Sequence, residues 1–176
     1  MFYWRITKYN PKNRDTRVAY LINEWTAYSD INKIFDGKSL NYSEYLAVEN
    51  AYINAINLFM VCNSLTELPV DYLEKKRKLY QDPNLSPMMI KMFSQIKSGI
   101  SFNKNEIEII ARLVLREQLW CKLGTENTMF VHFGYDYYMY IGSAKKCVKT
   151  IQQIQQSGLF VEEFISPYLE EFTIDD

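Results

Sequence analysis

Apolar residues recur at three- and four-residue steps between Tyr42 and Cys62. Tyr42, Tyr45, Leu46, Tyr52, Ile53, Ile56, Phe59 and Met60 fall on one side, and Ser43, Glu44, Asn50, Asn54 and Asn57 mainly on the other. That period belongs to an amphipathic helix. Asn41 is placed to cap it, and Glu44, three residues on, completes a capping box. The same spacing predicts a helix over 88–97 behind Pro87, with Met89, Met92, Phe93 and Ile96 on one stripe and Ser98-Gly99 as its stop. Asn103 and Glu106 open a further helix whose core face is Ile107, Ile110, Ala111 and Val114, with Glu108 and Arg112 spaced to pair along its surface. A last helix is expected from Ser143 to Ser157, burying Cys147, Val148, Ile151 and Ile154 before Gly158.

Period-two alternation predicts strands over 2–9, 119–123, 129–133 and 137–141. The last two form a hairpin through Gly134-Tyr135-Asp136. Residues 65–72 read as an edge strand, because Pro69 has no N–H for a central ladder. Residues 159–165 read as a final short strand. Residues 12–39 lack a clean period, yet Trp25, Tyr28, Ile31, Ile34 and Phe35 precede the turn Asp36-Gly37. A folded connection with a short helix is expected there. Together these elements predict an α+β fold: one domain over 1–176, with a mixed, mainly antiparallel sheet and helices packed on one face.

Composition narrows the function classes. Charged residues are 23% of the chain and hydrophobic residues 48%, which suits a folded protein rather than a disordered one. The net charge of -1 gives no overall pull toward nucleic acid. The local runs are the basic Lys75 to Lys78 and an acidic end with Glu162, Glu163, Glu170, Glu171, Asp175 and Asp176. Both read first as solvated surface. No stretch reads as a membrane span. Cys62, Cys121 and Cys147 are dispersed and odd in number, so no disulfide framework is expected and a reducing cytoplasm fits.

Catalytic signatures are sparse. His132 is the sole histidine, and the spacings of a zinc site are missing. No cofactor or metal is expected, no catalytic residue is assigned, and nucleotide-binding and hydrolase motifs do not occur. Two alternatives keep an enzyme or ligand-binding reading open. His132 with Asp136 would supply a general base. The Gly142, Ser143, Lys145 and Lys146 junction would offer first-turn amides and lysines to an anion. A solvated lysine cluster and a hydrogen-bonded strand histidine are the plainer readings. Nucleic-acid binding through Lys75 to Lys78 is weaker still.

The least ordinary segment is the hairpin, where Phe133, Tyr135, Tyr137, Tyr138 and Tyr140 surround Gly134 and Asp136. Either one side of this ribbon offers tyrosines to a partner, or both sides are covered and the hydroxyls bond internally. The first reading makes Tyr135, Asp136, Tyr138 and Tyr140 a protein-binding surface, with the acidic end contributing. The strings Tyr3 to Pro11, Glu24-Trp25-Thr26 and Phe130 to Gly142 resemble a group of uncharacterised small bacterial proteins, which carries no activity to transfer. The YDYYMY string is similar to strings in immunity proteins that neutralise partner toxins. That resemblance implies a non-catalytic binding module with a protein partner, of unspecified oligomeric state.

Overall fold

A computed structural model describes residues 1–17 and 19–169. Seven strands form one sheet: β1 (Phe2–Thr7), β4 (Glu67–Lys75), β5 (Ser101–Asn103), β6 (Leu119–Thr125), β7 (Met129–Phe133), β8 (Met139–Ser143) and β9 (Phe160–Glu163). Their order is β5-β4-β6-β7-β8-β1-β9. Every pairing in it is antiparallel, so the α+β class holds without a parallel component among the described residues. Among the described residues, four helices complete the fold: α1 (Tyr42–Asn63), α2 (Pro87–Gln95), α3 (Lys104–Leu115) and α4 (Val148–Gln156).

The helix starts follow from their caps. The Asn41 side chain accepts from the Glu44 amide at 2.9 Å, while Glu44 reaches back to the Asn41 amide. Asn103 and Glu106 repeat that box at α3, and Ser86 caps α2 ahead of Pro87. Each cap satisfies backbone donors that a helix start leaves without partners. The surface pair expected along α3 does not form. Glu108 accepts from Asn57 at 2.7 Å, and Arg112 turns to Glu49 and Asn50.

Strand alternation sorts the sheet into two faces. Met129, Val131, Phe133, Met139 and Ile141 join the core with Tyr52, Ile56 and Phe59 of α1 and Ile107 and Ile110 of α3. On the other side, His132 and Tyr140 are covered by the non-helical segment 164–169, with Ser166 bonded to His132 and Phe164 and Tyr168 against Tyr140, while Phe130 packs on Tyr3 and the His132 ring. Gly142 is what lets the outer layer close. A Cβ there would lie 2.1 Å from a carbon of the Phe130 ring.

Several boundaries differ from expectation. Residues 67–75 form a strand with neighbours on both sides, not an edge. Pro69 is tolerated because it falls where β4 pairs with β5 alone, before the β6 ladder begins at Val70. The connection before α1 holds a short 3-10 turn at Tyr28–Asp30 and a small hairpin, β2 (Ile34–Phe35) with β3 (Lys38–Ser39). The helix expected from Ser143 starts at Val148, since Ser143 ends β8 and Cys147 takes a left-handed conformation.

Cys62 at the end of α1 is disulfide-bonded to Cys147, which precedes α4, with their Cα atoms 6.0 Å apart. The dispersed cysteines hid this pairing, which spans 85 residues of sequence. It corrects the expectation of unpaired cysteines and removes their support for a reducing compartment. No helix among the described residues is long and apolar enough to cross a membrane.

Candidate functional site

Antiparallel pairing brings four strand ends together. Lys75 of β4 pairs with Leu119 of β6, and Phe133 of β7 pairs with Met139 of β8. Above that end of the sheet lies a cavity of about 510 Å³, within the range of about 300–1,000 Å³ typical of ligand sites. Tyr52, Leu115, Phe133 and Met139 supply its apolar lining. Trp120 forms one wall, held by an indole N–H bond of 2.7 Å to the Phe133 carbonyl. Glu74, Glu117 and Asp136 stand among its rim residues, together with Lys75 and Lys76.

The two rim lysines are engaged elsewhere. Lys75 Nζ donates to the carbonyls of Phe93 and Ile96 at 3.0 and 3.3 Å. Lys76 Nζ sits 3.9 Å from the centre of the Tyr80 ring. Neither Glu117 nor Asp136 forms an ion pair among the described residues. Burial, and next the nearby Asp30 charge, push the Glu117 carboxyl above its ordinary range. The rim thus carries three carboxylates against two lysines, of which Lys75 is tied to backbone carbonyls.

Three non-glycine residues lining this cavity have left-handed backbones: Glu117 (φ 58°), Asp136 (φ 53°) and Tyr137 (φ 60°). Such conformations cost on the order of 1–3 kcal/mol each and persist only where surrounding contacts impose them. At the hairpin turn the imposing contacts are visible. The Gly134 amide donates to the Tyr138 carbonyl at 2.7 Å, and Tyr52 donates its hydroxyl to the Tyr137 carbonyl at 2.5 Å. The buried Tyr137 hydroxyl lies 2.8 Å from both the Tyr45 hydroxyl and the Leu115 carbonyl.

Tyr45 in turn donates to Glu49, a fully buried carboxylate that also accepts from Arg112 and, at 2.7 and 3.0 Å, from Arg116. This inner network anchors the turn to α1 and α3. A sequence signal for it existed: Glu49 is an acid on the apolar side of α1, four residues after Tyr45. Arg112 and Arg116 share a four-residue spacing. Glu117 had no such mark, because nothing in its neighbourhood signals a left-handed helix stop.

The expected binding residues separate. Tyr135 is 86% exposed, and Asp136 is exposed beside it. Tyr138 is half-buried, with Tyr9 at 5.5 Å and the Arg5 guanidinium 5.4 Å from its ring. Tyr140 is buried beneath Phe164 and Tyr168, so it offers no contact surface. What the turn exposes is its tip, not a strand face. Glu170, Glu171, Asp175 and Asp176 lie outside the described residues.

His132 and Asp136 are not brought together. His132 lies on the outer face, 2% exposed, with Nδ1 2.9 Å from Ser166 Oγ and its ring stacked on Phe130. Burial, then the Lys122 charge, lower its pKa to about 4. Asp136 sits at the cavity rim.

The Gly142 to Lys146 junction is also committed to packing. Ser143 is buried and bonded to Asn63, the space at Gly142 belongs to Phe130, and Lys145 Nζ donates to the Cys62 carbonyl at 2.9 Å. Lys146 lines a shallow hollow with Phe2 and Phe164. No group of three or more His, Cys, Asp or Glu among the described residues is arranged to hold a metal. Comparison with family models, with curated proteins and with solved structures finds no match to this chain.

Proposed function

We propose that this chain is a non-catalytic protein-binding module, of the toxin-neutralising immunity kind, that grips its partner at the hairpin tip and the cavity beside it. The observation that carries this reading is Tyr135, 86% exposed at the rim of a cavity of about 510 Å³. An exposed tyrosine on a turn whose backbone is already fixed by Tyr52 and Tyr137 supplies contact area at the cost of ordering only its own side-chain torsions. A concave apolar floor beside it gives a partner side chain somewhere to insert, which is how binding hot spots are built. The similarity of the YDYYMY string to immunity proteins supports the same reading.

The test is a random seven-residue peptide library displayed against the immobilised protein. Recovered peptides are expected to lose at least tenfold in affinity against a Tyr135→Ala/Tyr138→Ala variant whose urea midpoint stays close to that of the parent. A selection that returns no binder, or only binders indifferent to those substitutions, contradicts the reading.

A further inference from the structure

Resting on that reading, we infer that the cavity takes an arginine side chain of the partner, flanked by apolar residues. Charge and wall chemistry converge on this occupant. Three carboxylates line the mouth, Glu74, Glu117 and Asp136, against two lysines, of which Lys75 is turned to the Phe93 and Ile96 carbonyls and Lys76 lies over the Tyr80 ring. The lining is aromatic and aliphatic: exposed Tyr135 and half-buried Trp120 and Tyr138, with buried Phe133, Leu115 and Met139. A delocalised, weakly hydrated guanidinium suits both surroundings, because it stacks on aromatic faces and bonds carboxylates through a fixed fork. A lysine brings a compact, strongly hydrated charge that costs more to strip of water.

The chain uses the same chemistry on its own cations. Lys8 Nζ lies 4.0 Å from the Tyr9 ring centre and 4.2 Å from that of Trp25, and it donates to Glu24 at 2.7 Å. The Arg116 guanidinium lies over the Tyr28 and Tyr42 rings while bonded to Glu49. At the cavity, aromatic lining and carboxylates are present, and among the described residues neither Glu117 nor Asp136 is held in an ion pair. An acidic partner would meet repulsion at this mouth, and a neutral one would leave the carboxylates without a counter-charge.

Peptides from the displayed library provide the probe, each resynthesised with every arginine replaced by citrulline, which keeps the shape and removes the charge. Binding is read by fluorescence anisotropy at low and moderate salt. The expected result is arginine enrichment, at least tenfold weaker binding of the citrulline form, and near equality of the two forms against Glu117→Gln/Asp136→Asn. Equal binding of both forms to the parent protein overturns the arginine assignment but leaves the binding-module reading standing. Binders that ignore Tyr135→Ala/Tyr138→Ala overturn the module reading itself. Free arginine amide competing as strongly as the peptides also overturns the inference, since the site would then serve a small molecule.

Discussion

Glu117 ends α3 with a left-handed backbone, a position that glycine fills most cheaply because it has no Cβ. Exchange by Glu117→Gly is expected to raise stability by about 0.5–1 kcal/mol in urea unfolding, while weakening arginine peptides at least tenfold. A loss of stability would mean that the carboxylate serves the fold. His132 makes a separate prediction at this scale. The unfolded ring titrates near 6.5 and the folded one at about 4. As pH falls between those values the unfolded chain takes the proton first. Stability that is complete above pH 6.5 is therefore lost as pH falls toward 4. From pH 7 to pH 5 the difference is about 2 kcal/mol, and it should be missing from His132→Gln in paired urea titrations. Residue chemistry was partly legible in the sequence. Tyr135 and Asp136 were singled out by composition around a turn, but the burial of Tyr140 depends on residues 164–169, more than twenty positions away.

At the scale of elements, local rules worked where local chemistry decides. Capping boxes and three-to-four spacing gave α1 nearly to the residue and, for α3, its start and its core face. They failed where tertiary contacts override propensity. Tyr137 is pulled out of the expected strand by hydroxyl bonds to Tyr45 and Leu115, so β8 begins at Met139. Cys147 is bonded to Cys62, and α4 starts only after it. Neither contact has a sequence neighbour to announce it. Closing 85 residues of chain, the disulfide should stabilise by about 4–5 kcal/mol through the unfolded state. Cys62→Ser/Cys147→Ser is expected to lose about that much in urea unfolding, and reduction of the parent protein should match it. A loss of under about 1 kcal/mol would show that the two helix ends are held by the Asn63–Ser143 and Lys145–Cys62 hydrogen bonds instead.

Across the whole molecule, helices cover one face of the sheet and residues 164–169 cover the middle of the other. The α+β class and the one-sided helical layer were legible from strand and helix periods. The cavity was not, because it exists only once four strand ends meet the end of α3. The aromatic ribbon turns out to be interior packing along its strands, with Tyr135 and Asp136 exposed at its tip. A nuclear magnetic resonance titration of the labelled protein with an arginine-bearing peptide from the display shows where a partner seats. The largest shifts are expected at residues 114–120 and 133–139, with little change at Phe130, His132 and Tyr140. Shifts centred on that outer face, or scattered without reaching Glu117 and Tyr135, would mean that the hairpin tip and its cavity do not hold the partner.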